Sequence, residues 1–261
     1  MPNSRKFLKT KLKTTLITRV NESFPLWAVG AGGKTNGQLD PGPGPVDRVV
    51  VQLDDGADMI LYDGGRAPNP RRVRIYLAEK GITVPLEPVD LGALQQKSPD
   101  FAAINPVQRV PALALDDGSV IAESIAICRY FEALHPEPPL FGVGARAIAE
   151  VEMWNRRLEL NLLFPIAHVF RNTHPAMREM EVPQVPAWAE ANKPRIMAFL
   201  DILDRALKDR PFAAGDRYTV ADITGLVAVD FLKPAKLTVP ETCANVRRWH
   251  AAVSARPSAS A

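Results

Sequence analysis

Apolar residues recur along this chain in two rhythms, and the change from one to the other divides it. Between residues 59 and 121 several apolar runs are short and bounded by turn residues, the pattern of short strands. Leu61 and Tyr62 precede Gly64 and Gly65, residues 82–89 form a second run, residues 112–115 a third, and Val120 with Ile121 a fourth. Helical spacing is interleaved with them. Pro70 suits a first turn, where its missing N–H costs nothing; Val73, Leu77 and Ala78 give an inward stripe, and Gly81 ends the helix. Residues 91–104 read as a polar loop with a short helix. Ile125, Cys128, Phe131 and Leu134 mark a further helix, with Ser124 placed to cap it. After the linker Pro136-Glu137-Pro138-Pro139 every remaining segment has the helical period. Residues 145–171 carry Ile148, Val151, Leu158 and Leu162, with Pro165 as a kink or break. Residues 186–207 place Trp188, Ile196, Phe199 and Leu203 on one side. Residues 219–231 are apolar almost throughout, the mark of a central helix, and residues 242–254 close the series. The Ser/Ala-rich tail after Arg256 is expected to fray.

Residues 105–124 combine cues with a joint chemical meaning. Val110-Pro111 opens a strand, Asp117-Gly118 favours a tight hairpin turn, and Glu123-Ser124 starts a helix. An X-Pro bond adopts cis at modest cost, and at the start of an edge strand it turns the N–H and C=O of Val110 outward. A helix start offers unpaired N–H groups to a carboxylate, helped by the Ser124 hydroxyl, and Glu123 can take an ammonium. Each cue alone is an ordinary strand entry or cap. In this order they resemble the glutathione-binding half-site of the N-terminal domain of cytosolic glutathione transferases.

The resemblance runs from residue 59 to about residue 253. MILYDGGRAPNPRRVRIYLAEKG, residues 59–81, is similar to the family's first strand, active-site loop and first helix, and RYTVADI, residues 217–223, to a helix start in its second domain. There Thr219 and Asp222 have capping-box spacing, with Tyr218 and Ile223 at the staple positions. The implied fold is an α/β thioredoxin-like domain, residues 59–140, followed by an all-α domain, residues 145–255. The implied activity is conjugation of the glutathione thiol to a small-molecule electrophile in a cytoplasmic homodimer serving detoxification, with glutathione as co-substrate. A glutathione-dependent isomerase, dehalogenase or disulfide reductase, or a non-catalytic interaction module, are the alternatives. Many members place Tyr, Ser or Cys where this chain has Ala67. Ala67-Pro68-Asn69 instead resembles the Thr-Pro-Asn loop of nu-class and related bacterial-type members, whose asparagine contacts the glutathione sulfur. Asn69 is thus the catalytic candidate, beside its ordinary role of closing a turn; Tyr62 is a second hydroxyl to weigh. The resemblance puts Gln96, Lys97 and Arg109 near the glycyl carboxylate, and Val110, Pro111, Glu123 and Ser124 at the rest of the peptide. Trp154, Arg157, Asn161 and Phe164 lie along one broad helix face, to line an electrophile pocket or to pack in a core or dimer interface.

Composition narrows this further. An apolar fraction of 46% over 261 residues fills a real core. The two cysteines, Cys128 and Cys243, form no C-x-x-C pair, which excludes a thioredoxin-type couple, a zinc cluster or a disulfide framework and fits a reducing compartment. Cys128, on an apolar helix face, reads as a small buried hydrophobe. His135, His168, His174 and His250 are scattered, so no metal site is expected. Of the net charge of +3, residues 1–58 hold eight Lys/Arg against six acids, leaving 24 against 23 for the body. A body so near neutrality gives no electrostatic case for nucleic acid or membrane.

The first 58 residues read as a separate object. Residues 1–20 are basic and acid-free, and residues 30–45 are rich in Gly and Pro. A targeting presequence, a disordered tail or translation from a start assigned too early each fit; the last two are favoured because the resemblance begins at Met59, itself a possible initiator. Gly32-Gly33-Lys34-Thr35 lacks the first glycine of a phosphate loop, since Ala28 stands in its place.

Overall fold

The computed structural model describes residues 59–261, so the expectations for residues 1–58 fall outside the described part. The chain opens as β1 (Ile60–Asp63), α1 (Pro68–Lys80), β2 (Leu86–Pro88), α2 (Pro99–Ile104), β3 (Ala112–Ala114), β4 (Val120–Ala122) and α3 (Ser124–Leu134). The four strands form one mixed sheet in the order β2-β1-β3-β4, with β1 and β2 parallel and the other two pairs antiparallel. α1 supplies the crossover that a parallel pair needs. Leu61 lies opposite Leu86 and Leu113, and Leu113 opposite Ile121; Leu61 and Leu113 are buried in the core. This is the expected thioredoxin-like layer, with two differences. β2 is shorter than residues 82–89, because Pro85 and Pro88 lack the N–H that a longer ladder requires. β3 is interior rather than an edge strand, because the turn at Asp117-Gly118 folds β4 back alongside it.

α1 begins with Pro68 at its first position and ends on Gly81, whose φ of 67° is left-handed and comfortable only without a Cβ. Its buried stripe contains Val73, Ile75, Tyr76 and Leu77; Ala78 is exposed, and two cations, Arg72 and Lys80, are buried instead. Lys80 is satisfied by the proline-rich linker, donating to the carbonyls of His135 (2.8 Å), Pro136 (3.3 Å) and Pro138 (2.6 Å) and pairing with Glu132. On α3 the inward side is Ile127, Cys128 and Phe131, while Leu134 is half-exposed.

The remainder is helical: α4 (Gly144–Leu158), a π-helical turn (Glu159–Leu163), α5 (Phe164–Thr173), α6 (Pro186–Ala206), α7 (Val220–Phe231) and α8 (Ala244–Ser254). Pro165 does not break the chain direction. It sits at the second position of α5, directly after the π turn, where the ladder is already loosened and its missing donor costs little. α6 turns Ile196, Phe199 and Leu203 inward but leaves Trp188 at its exposed start. α7 is buried from Val220 to Val229 and packs against α1, α4 and α8. Gly225 makes that fit possible, since a Cβ there would stand 2.7 Å from the Trp249 ring.

Asp222 begins α7 fully buried. Its carboxylate accepts from the N–H groups of Ala213 (2.8 Å) and Thr219 (3.0 Å), the Thr219 hydroxyl and the Trp249 indole (2.9 Å). Burial pushes its carboxyl up to about 6, against the pull of these donors. The tail after Arg256 does not fray. Arg256 grips Glu79 of α1 through two nitrogens (2.7 and 2.6 Å), Ser258 also donates to Glu79, and Arg71 donates to the Ala259 carbonyl at 2.9 Å. Among the described residues no helix is long and apolar enough to cross a membrane.

Candidate active site

The loop between β1 and α1 is held by Asp63, which accepts from the Gly65 N–H at 2.8 Å and pairs with Arg74. A Cβ on Gly64 would fall 2.6 Å from Val110 Cγ2, so this loop lies directly against the residue that precedes Pro111. Beyond it the start of α1 is short of donors. Pro68 and Pro70 have none, the Ala67 N–H donates to Gly64 and that of Arg71 to Ala67. Asn69 therefore carries the free backbone N–H of this end, among the described residues. Its side chain adds a second donor: Oδ1 accepts from Arg72 Nη2 at 3.1 Å, which turns the Nδ2 amide group away from the guanidinium. Asn69 is half-buried, as an atom serving a bound ligand must be.

Arg72, which the sequence reading did not single out, joins the parts. Only 2% exposed, it donates to the Ser124 hydroxyl from Nε (3.1 Å) and Nη2 (2.7 Å), to Thr224 Oγ1 from Nη1 (3.2 Å) and to Glu159 Oε1 from Nη2 (2.9 Å). Thr224 donates on to Asn155 at 2.6 Å, and the second oxygen of Glu159 is taken by Arg156. One guanidinium thus touches α1, the start of α3, α7 and the π turn. Positions 69, 72, 73, 76 and 80 share a helical face, so a charged residue amid buried neighbours was the available signal.

Val110-Pro111 is cis, and Val110's own N–H and C=O have no hydrogen-bond partner among the described residues. Pro111 is buried at the head of β3. Ser124 is not the helix cap. It is the first residue of α3, with Glu123 in the cap position, and its hydroxyl accepts from Arg72 rather than from α3. With both lone pairs facing the guanidinium, its O–H is left to donate. Glu123 is exposed and has φ of 67°, a conformation that costs a side-chain-bearing residue of order 1–3 kcal/mol.

Gln96 is buried at 1% exposure, with Oε1 unpartnered and Nε2 against Met180 Sδ at 3.7 Å. Arg109 is half-buried, with Nη1 unpartnered, and its carbonyl is held by Asn105 at 2.8 Å. Lys97 is exposed. A cleft of about 480 Å³ opens at the C-terminal ends of β1 and β2, lined by Gly64, Gly65, Val89, Leu91 and Gln95.

The residues expected along the electrophile side separate. Trp154 is 5% exposed and lines a different cavity, of about 380 Å³, facing Asp209 and Gly215. Arg157 stacks over the Trp154 ring at 5.1 Å, and Asn161 is exposed, donating to the Arg157 carbonyl. Phe164 is 43% exposed, as is Leu160 one turn earlier. The ring of Tyr62 packs edge-on against Phe101. Burial pushes the Cys128 thiol up to about 12 despite nearby Arg72, leaving it inert.

Known proteins resemble this chain along most of its described length. The family model for the glutathione S-transferase N-terminal domain matches residues 67–134, and that for the C-terminal domain matches residues 166–257. Glutathione S-transferase 2 of Saccharomyces cerevisiae is 37% identical over 203 residues, covering 77% of this chain and 87% of the relative. Glutathione S-transferase 3 of Zea mays is 30% identical over 211 residues, covering 77% and 91%. The crystal structure of a glutathione S-transferase domain-containing protein from Marinobacter aquaeolei superposes with a TM-score of 0.74 at 38% identity, covering 76% of this chain and 98% of that one.

Proposed function

This chain belongs to the glutathione S-transferase family and is a glutathione transferase, and we propose that it joins the glutathione thiol to small electrophiles at a site centred on Asn69. The observation that carries this reading is the start of α1, where two prolines leave Asn69 as the free backbone donor and Arg72 turns its amide NH₂ outward. The backbone of Val110 pairs with the cysteinyl unit of the peptide. The Ser124 hydroxyl and the N–H groups beginning α3 take the γ-glutamyl carboxylate, and Glu123 takes the ammonium. Arg109, whose buried Nη1 donor is unpartnered, serves the glycyl carboxylate, and Gln96 adds its Nε2 amide.

A free thiol ionises near ~8.5, so little thiolate exists at neutral pH. Donors at Asn69 favour the anion, and the displaced proton leaves to solvent. The sulfur then uses its electron pair to form an S–C bond to the electrophile, whose leaving group departs with the pair of the broken bond. The Ala67-Pro68-Asn69 loop, similar to that of nu-class and related members, fits this use of an amide in place of a hydroxyl or thiol.

Leu160, Phe164 and Met153, each 40–43% exposed on the outer side of α4, the π turn and α5, support an apolar surface shared between the electrophile and a second copy of the chain, a homodimer. Two unpaired, buried cysteines fit a reducing, cytoplasmic setting and a detoxifying role. Retention on immobilised glutathione, followed by turnover of a panel of electrophiles and mixed disulfides, tests the reading. Retention with conjugation of the electrophiles is expected; retention with turnover of disulfides alone would move it to a reductase.

A further inference from the structure

We infer that Arg72 is a positioning residue for the thiol, setting the direction of the Asn69 amide from beneath; the inference rests on the transferase reading above. An asparagine amide can face a ligand with its oxygen or its NH₂, and only the second stabilises a thiolate. The choice is made by the group behind it. Here that group is a guanidinium, which has donors and no acceptor, so it can hold only Oδ1, and Nδ2 must face the other way. The same guanidinium donates twice to Ser124, which leaves that hydroxyl a donor as well. One buried cation thereby imposes donor polarity on both groups.

Arg72 does not swing freely. Thr224 and Glu159 hold it from the helical side, and Thr224 is itself bonded to Asn155. Glu159 is shared with Arg156, so one carboxylate faces two guanidinium groups and the cluster keeps a positive charge beneath the thiol. The helical elements thus contribute to thiol ionisation without touching the peptide. A lysine at position 72 has one nitrogen and no planar fork, and cannot span Asn69, Ser124, Thr224 and Glu159 together.

The test is a double-mutant cycle of Arg72→Lys and Asn69→Ala, read by ultraviolet absorbance of enzyme-bound thiolate against pH and by kcat and KM. Arg72→Lys is expected to raise the apparent pKa of bound glutathione and to lower kcat roughly ten-fold or more. Added to Asn69→Ala, it is expected to shift that pKa no further, because Arg72 acts through the amide. Full and independent shifts in the double variant would overturn the inference, as would a wild-type titration in Arg72→Lys. Should Arg72→Lys fail to fold, Thr224→Val removes one of the guanidinium's holds without touching Asn69; a raised thiol pKa supports the inference and an unchanged one overturns it. Wild-type protein that binds glutathione without any thiolate absorbance would overturn the transferase reading and the inference together, whereas wild-type absorbance that Arg72 variants leave unaltered overturns the inference alone.

Discussion

Two buried ionic clusters, one around Arg72 and one around Asp222, use the same ingredients to opposite ends. Each centres on a charged side chain with at most 2% exposure, satisfied by at least four hydrogen bonds, some local and some from distant elements. Around Asp222 every chain of bonds ends in the interior, on backbone N–H groups, a hydroxyl and an indole. Around Arg72 one chain runs inward, through Thr224 to Asn155, and others run toward the surface, to the half-buried Asn69 amide and to Ser124 beside exposed Glu123. A closed cluster can only stabilise. An open one passes an orientation to a surface where a ligand can use it.

Removing the closed centre is the harshest way to break the comparison. Asp222→Ala strands the Ala213, Thr219 and Trp249 donors in the core and is expected to cost about 3 kcal/mol or more in denaturant unfolding, while kcat per folded molecule stays unchanged. The cost depends on pH. The unfolded carboxyl titrates near ~3.9 and the folded one near about 6, so the folded state binds the proton more tightly. This group's contribution is full below the lower value and falls away as pH rises through the upper one. The stability gap between wild type and variant should therefore narrow from pH 5 to pH 7; a gap that widens would refute the assignment.

At the open cluster the order of effects reverses. Asn69→Ala should slow conjugation about ten- to a hundred-fold, short of the dry-site limit because the residue is half-exposed, with the melting temperature nearly unmoved. A full rate with an unchanged thiolate titration would shift thiol activation to another donor, Tyr62 being the next to test. Ser124→Ala lies between the two kinds. It leaves the buried Arg72 Nε without an acceptor, while Nη2 keeps Asn69 and Glu159, and should cost roughly 1–2 kcal/mol of stability while weakening glutathione binding by calorimetry. Glu123→Gly relieves the positive φ and should leave stability equal or slightly raised while binding weakens; a clear loss of stability would show that the strain is not there. The smallest effect is expected from a chain starting at Met59, which should match the full chain in melting temperature and glutathione affinity.

Strands and helices were legible because their periods are local. Leu61, Val73, Phe131 and Ile196 fall in the core where the spacing put them. Glu123-Ser124 and Ala67-Pro68-Asn69 were visible as short motifs. Their meeting through Arg72 was not, because its partners stand 52, 87 and 152 positions away and no local pattern encodes such distances. The docked tail failed for the same reason: Ser and Ala say nothing of a Glu79 waiting on another helix. β2 was misread despite a visible signal, since Pro85 and Pro88 mark a ladder that cannot extend. For Trp154 the sequence leaves pocket and core or interface open, because helical spacing gives a face but not the neighbour it meets.

The π turn at Glu159–Leu163 is a stretch where this helical run can change length without changing what it presents. A π turn is an α-helix carrying one surplus residue. Deleting one residue there would let the helix close to ordinary geometry, and because four α-helical residues wind about as far as the five of the turn, everything beyond would keep its facing relative to α4. Ile166 and Val169 would stay buried and Phe164 would stay on the outer surface. A deletion within α4 or α5 has no surplus to absorb it, so it would rotate the helix beyond by about 100° and re-aim every side chain on it.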